Sequence, residues 1–129
     1  MLKTVLAGVL AGCVFMSCRK QEEVPAVAAD ALVLLQLEKA GSDLTKPHAV
    51  EFFLYLPHEA RAREAAKELE GRGYATKVDP ATLGKDWLCL ATRSLVPTME
   101  ALLEARTQFE ALAVRLGGEY DGWGTPVVK

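Results

Sequence analysis

Residues 87–123 read WLCLATRSLVPTMEALLEARTQFEALAVRLGGEYDGW. Residues 87–91 form a short apolar run, which is typical of a strand covered on both faces. Pro97 suits the first turn of a following helix, where its missing N–H has no cost, and Gly117 and Gly118 end that helix. Apolar residues recur between them at spacings of three and four, and so share one helical face: Leu102, Ala105, Phe109, Leu112 and Leu116. Residues 119–123 return as a strand, so the stretch predicts strand–helix–strand.

An earlier part of the chain repeats this plan. Residues 52–57 predict an apolar strand, residues 58–72 a helix with alanines and Leu69 on one face, and residues 74–78 a return strand after Gly73. Two such units in tandem predict an α+β fold, the ferredoxin-like βαββαβ sandwich, with two helices on one face of a four-stranded antiparallel sheet. Because this fold hosts unrelated functions, it names none of them.

A further helix is predicted before the sandwich. Asp30 resembles an N-cap, residues 31–40 the helix, and Gly41 its end. The segment is too rich in leucine to be solvated on all sides. We expect it to pack on or beside the sheet face that the other helices leave bare. If side chains alternate, that face carries the following residues: Phe53, Tyr55, Trp87, Cys89 and Ala91.

The N-terminus predicts export. Lys3 is followed by an uncharged, mostly apolar run over residues 4–17. The run is shorter than the roughly 20 residues of a membrane span, and residues 1–17 therefore predict a signal peptide, with a buried N-terminal helix as the alternative. Cys13 follows Leu-Ala-Gly, which resembles a bacterial lipobox, but Cys18 has the longer apolar core before it and a polar segment after it. We predict lipidation at Cys18, with Cys13 as the alternative. Two free cysteines in an ordinary cleaved signal remain a further possibility.

These boundaries predict three parts: the signal peptide, a mobile linker over residues 18–29, and one domain over residues 30–129. A protein so processed would be exported and held on a membrane of the bacterial envelope by its lipid. The alternative location is the cytoplasm. The chain has 129 residues, a formal charge of −2 and no basic block, so binding of nucleic acid is not expected.

Several motifs in the domain resemble those of one family, the regulator of ribonuclease E activity B (RraB) family. The resemblance extends over residues 30–123, and its motifs are GSDL at 41–44, VEFFLYLP at 50–57, EL at 68–69, GY at 73–74, WLCLATR at 87–93, VPT at 96–98 and YDGW at 120–123. Members usually continue Asp-Gly-Trp-Glu, whereas Gly124 follows Trp123 in this chain.

The resemblance implies a small non-enzymatic protein without a cofactor. Members characterised in the cytoplasm bind and inhibit ribonuclease E, so the implied partner is a protein. An exported lipoprotein cannot meet a cytoplasmic ribonuclease. Either the domain has another, unidentified partner, or the N-terminal prediction is wrong and the protein is a cytoplasmic ribonuclease E inhibitor.

The reactive side chains agree with a non-enzyme. Cys89 and His58 could be imagined as nucleophile and base, but a mid-strand cysteine and a solvated histidine are the preferred interpretation. The two histidines and Cys89 lack the tight spacing of zinc ligands, so no metal site is predicted.

The last strand offers a candidate partner-binding site. Glu119 and Asp121 either keep the chain soluble or belong to a docking patch for a basic partner. Trp123 is either an exposed anchor for that partner or, as we prefer, a plug in the core. Aromatic residues on a four-stranded sheet also suggest an RNA-binding domain. The acidic charge and the expected cover of the first helix argue against RNA.

Overall fold

A computed structural model of the protein describes residues 26–129. The predicted signal peptide, Cys13, Cys18 and residues 18–25 of the predicted linker lie outside the described residues. Over residues 26–129 no helix combines the length and the apolar character needed to cross a membrane. The elements follow in this order: α1 (Ala26–Lys39), β1 (His48–Leu56), α2 (Glu59–Gly71), β2 (Ala75–Pro80), β3 (Trp87–Leu95), α3 (Met99–Leu116) and β4 (Glu119–Gly124).

The four strands form one antiparallel sheet in the order β2-β3-β1-β4. Each strand–helix–strand unit leaves a gap between its two strands, and a strand of the other unit fills it. Strand β3 lies between β1 and β2, and β1 lies between β3 and β4. The predicted ferredoxin-like sandwich with an extra N-terminal helix is therefore confirmed.

An aromatic cluster forms the centre of the core between the sheet and the helices. Phe52 of β1 stacks on Phe109 of α3 with ring centroids 4.8 Å apart. Tyr74 meets both rings edge-on, at 5.8 and 5.4 Å, and Tyr120 of β4 stacks on Phe109 at 5.4 Å. Phe109 is fully buried, as the helical periodicity predicts. Phe109 of α3 thus contacts the other three rings of this cluster.

Helix α3 begins two residues after Pro97, so the placement of this proline in the first helical turn is corrected. The N-cap is Thr98, which has extended backbone angles, and its Oγ1 accepts a hydrogen bond from the Ala101 N–H at 3.1 Å. The threonine supplies a side-chain acceptor that proline lacks, so Thr98 and not Pro97 caps the helix.

Replacing Thr98 with alanine is expected to lower the free energy of unfolding by about 1 kcal/mol, because the Ala101 N–H loses its partner at the helix end. Urea unfolding followed by circular dichroism measures the change. Thr98→Ser keeps the hydroxyl and serves as the control. Equal losses in the two variants would contradict a capping role.

Helix α1 differs from its prediction at its start. It begins at Ala26, so Asp30 lies within the helix and is not its N-cap, and residues 26–29 are helical where a linker was expected. Asp30 is only 1% exposed. Its carboxylate reaches the side chains of α3 and β4 instead of the helix's own N–H groups. Because the Asp30 carboxylate accepts hydrogen bonds from Arg106 and Trp123, it is not available to cap the N–H groups of its own helix.

The position of α1 also differs. It packs against α3, on the side of the sheet that α2 and α3 already cover. The predicted set of residues on the opposite face is corrected with it. Residues directly opposite in an antiparallel pair share a face, and the register pairs Trp87, Cys89 and Ala91 with core residues of β1. Phe53 and Tyr55 do lie on the opposite face, but they are joined there by Leu88 and Leu90.

Candidate partner-binding surface

The sheet face away from the helices is called the open face here. One row of residues crosses all four strands of this face, because each residue is directly opposite the next: Asp79, Leu88, Tyr55 and Glu119. The two central residues are apolar or aromatic, and the two outer ones are carboxylates. The row places an acid at each edge of an apolar centre.

The neighbouring rows complete the open face. Lys77, Leu90 and Phe53 form the second row, and Thr92 and Glu51 lie in the third. We call the block of Phe53, Tyr55, Leu88 and Leu90 the apolar centre. These four side chains are half-buried, shielded by one another and by their neighbours on the sheet. The helices of residues 26–129 all lie on the other side.

A groove lies beside the apolar centre, where the β2–β3 loop meets β4. It encloses about 340 Å³. Tyr55 and Leu83 contribute apolar surface, and Leu83 is 86% exposed. Residues 81–82 complete the loop side, and three carboxylates belong to the lining: Asp86, Glu119 and Asp121. We call this feature the acidic groove.

The structure thus brings together two of the three residues predicted for partner binding. Glu119 and Asp121 are both exposed and both line the acidic groove. The sequence does not indicate the contributions of Leu83 and Asp86, because these depend on how the β2–β3 loop folds back. Partner binding by Glu119 and Asp121 remains a prediction.

Trp123 is a core residue and not an exposed anchor for a partner. It is 9% exposed, lies opposite Phe52 on the helix side of the sheet, and donates from Nε1 to Asp30 Oδ1 at 3.1 Å. The structure therefore places Trp123 in the core, which is the preferred interpretation, and corrects its inclusion among the candidate partner-binding residues. A bulge makes this possible: Gly122, at φ +105°, adds a residue to β4, so Tyr120 and Trp123 face the same side despite an odd spacing.

Asp30 and Arg106 form a buried ion pair beneath Trp123. Arg106 donates to the two carboxylate oxygens, from Nη2 to Oδ1 at 3.0 Å and from Nε to Oδ2 at 3.2 Å. Its guanidinium lies over the Tyr120 ring, 5.2 Å from the centroid. The hydrogen bonds to Asp30 raise the pKa of Arg106, and burial raises the pKa of Tyr120. These shifts keep the guanidinium charged and the phenol neutral at physiological pH.

Cys89 and His58 do not share an environment. Cys89 is fully buried in the middle of β3, whereas His58 is exposed at the start of α2. Burial raises the pKa of the Cys89 thiol from 9.0 to about 11, so the thiol is protonated near neutral pH and is not an activated nucleophile.

The free energy of unfolding is expected to fall at alkaline pH because Cys89 is buried. A folded-state pKa above the unfolded value stabilises the protein below pH 9, and this contribution is lost as the pH rises towards 11. Between pH 8 and pH 10 the protein should lose about 1.4 kcal/mol more unfolding free energy than Cys89→Ala. Urea unfolding of both at the two pH values tests this, and the ionisation of tyrosines cancels in the comparison. Equal losses in the protein and in Cys89→Ala would mean that the Cys89 thiol is exposed to solvent and that its pKa is not raised.

His48 is buried at the start of β1. Because a carbonyl can only accept, His48 Nδ1 carries a proton and donates to the Lys46 carbonyl at 2.8 Å, and Nε2 forms a hydrogen bond with Ser42 Oγ at 2.7 Å. The Val128 N–H donates to the same hydroxyl at 2.9 Å. The Ser42 hydroxyl therefore joins His48 and the α1–β1 loop to the C-terminal segment. Residues 26–129 contain no group of three potential metal ligands.

Comparison with known proteins adds one finding. A family model described as regulator of ribonuclease activity B matches residues 27–125. A search of curated proteins finds no match. The matched range contains β1, β4 and every element between them, together with all of α1 except its first residue. Because the match covers well over half of the chain, the protein belongs to the RraB family, the regulators of ribonuclease activity B.

Proposed function

We propose that the protein is a regulatory module that acts by binding another protein and not by catalysis. Membership of the RraB family over residues 27–125 carries this proposal. The reactive side chains of the described domain support it. The thiol of Cys89 is buried and protonated, and His58 lies at the surface.

The proposed module is exported and held on a membrane by a lipid on Cys18, with Cys13 as the alternative site. The support is the order of charged, apolar and small residues over residues 1–18. Its partner is then a protein of the bacterial envelope. If the N-terminus is not a signal, the second candidate function is inhibition of ribonuclease E in the cytoplasm, for which the family supplies the support.

Metabolic labelling with a fatty-acid analogue separates these two functions. We expect the full chain to take up the label, Cys18→Ala to lose it and Cys13→Ala to keep it. Labelling lost only in Cys13→Ala would move the anchor to that residue. A chain that stays unlabelled and cytoplasmic would contradict export and would favour the ribonuclease inhibitor. Degradation of a test RNA by purified ribonuclease E, with and without the protein, then measures that activity directly.

A further inference from the structure

The apolar centre lacks a cover within residues 26–129. Phe53 is directly opposite Leu90 and Tyr55 directly opposite Leu88, so the four side chains form a compact block across the two central strands. The helices that could have covered the block lie on the other side of the sheet. A contiguous apolar patch with a polar border is typical of a surface that binds another protein.

The border of this patch is acidic. Asp79 and Glu119 end the row through Tyr55, Glu51 borders Phe53, and the acidic groove adds Asp86 and Asp121. Within residues 26–129, two lysines belong to this side of the sheet or to its β2–β3 loop. Lys77 is paired with Asp79 at 3.8 Å, and Lys85 belongs to the β2–β3 loop. The open face therefore presents a negative field to whatever approaches it.

The acidic groove has the chemistry to hold one cationic side chain. Tyr55 and the exposed Leu83 both line it. A guanidinium or ammonium group is attracted by the face of an aromatic ring, and carboxylates bind it through charge-assisted hydrogen bonds. The aliphatic stem of such a side chain would pack against Leu83.

We propose that the open face docks a polypeptide segment of the partner that combines apolar and basic residues. Its aliphatic or aromatic side chains cover the apolar centre, and one arginine or lysine enters the acidic groove. This inference rests on the proposed function, because it names the surface through which the regulatory module binds.

The negative charge of the open face favours a basic polypeptide segment over a second copy of the chain or RNA. A second copy of the chain, related by two-fold symmetry, would bring carboxylates against carboxylates. RNA could stack bases on Phe53 and Tyr55, but its phosphates would meet the same acids. A polypeptide segment with apolar and basic residues complements both parts of the face, because its apolar side chains cover the apolar centre and its positive charges pair with the acidic border.

Photocrosslinking in the cells that naturally produce the protein tests the inference on the full chain. Benzoylphenylalanine is placed at Leu83 in one variant and at Val114 in another. Both residues are exposed apolar side chains, at 86% and 83%, but Val114 lies on α3, away from the open face. The probe therefore changes a similar amount of surface in both variants. Thermal unfolding of each purified variant establishes that it is folded.

We expect a crosslinked protein from the probe at Leu83 and none from the probe at Val114. Mass spectrometry should place the crosslink in a segment with lysine or arginine next to apolar residues. Reversal of charge in the double variant Glu119→Lys, Asp121→Lys should reduce the crosslink at least ten-fold. Glu104→Lys, an exposed carboxylate on α3, should leave it unchanged.

Each other outcome overturns the inference. A partner crosslinked only from Val114 would contradict the docking surface while leaving the proposed protein-binding function in place. An acidic segment, RNA, or a second copy of the chain at Leu83 would replace the proposed occupant. Absence of any crosslink from both positions would count against the inference and the proposed function together.

Discussion

Replacing Asp30 with alanine is expected to lower the free energy of unfolding by about 3–5 kcal/mol. The substitution removes the buried acceptor of the Arg106 guanidinium, whose side chain is 17% exposed, and of the Trp123 indole N–H. Among residues 26–129, the guanidinium then keeps only the carboxylate of Glu110, an exposed partner at the surface. A buried charge without its partner loses its Coulombic attraction and cannot recover full hydration. Urea unfolding at 25 °C measures the loss. Because Trp123 contacts Asp30 directly, its fluorescence should also change in the folded variant.

Glu110→Gln is the matched control for Asp30→Ala. Glu110 binds the same guanidinium, from Arg106 Nη1 to Glu110 Oε2 at 3.1 Å, but its side chain is 54% exposed. Water replaces an exposed partner at little cost, so this variant should lose less than about 1 kcal/mol. If Asp30→Ala and Glu110→Gln cost the same, the buried position of Asp30 has no special role, and α1 is held on α3 by its apolar side chains alone.

Replacing Phe109 with alanine is expected to lower the free energy of unfolding by about 3–5 kcal/mol. The ring is fully buried and stacks on Phe52 at 4.8 Å and on Tyr120 at 5.4 Å. Its removal leaves a cavity between α3 and the sheet. Phe52 and Tyr120 belong to different strands and cannot both move inward to fill it. The midpoint of urea unfolding should fall accordingly.

Two variants give this prediction its controls. Phe109→Leu keeps much of the volume and should cost less than Phe109→Ala, because the residual cavity is smaller. Val114→Ala lies on the same helix at a site that is 83% exposed and should change the free energy by no more than about 0.5 kcal/mol. A small loss in Phe109→Ala would mean that the core collapses around the site.

The strands and helices of the sandwich could be predicted because their signals are local. Apolar spacings of three and four along residues 102–116 describe one face of α3, and all five residues of that predicted stripe are buried. Alternation along β1 likewise separates its buried residues from Phe53 and Tyr55. Both patterns involve residues only a few positions apart. The geometry of a single helix or strand fixes on which side such residues lie.

The candidate surface could be predicted only in part. Glu119 and Asp121 could be identified because they are carboxylates in a short return strand. Their neighbours Leu83 and Asp86 could not, because a loop conformation brings them to the groove. Leu88 and Leu90 replaced Trp87, Cys89 and Ala91 on the open face, because alternation within β3 does not say which of its two faces matches which face of β1. A shift of one residue in register exchanges the faces.

The sequence by itself determined the order of the elements, the sandwich and the family to which the chain belongs. Tertiary structure decided where α1 packs, which face of the sheet stays open and why Trp123 is buried. These depend on contacts between distant residues. Asp30 meets Arg106 at a separation of 76 residues and Trp123 at a separation of 93. Local periodicity contains no information about such pairs, because only the folded chain brings a charge and its partner out of water together.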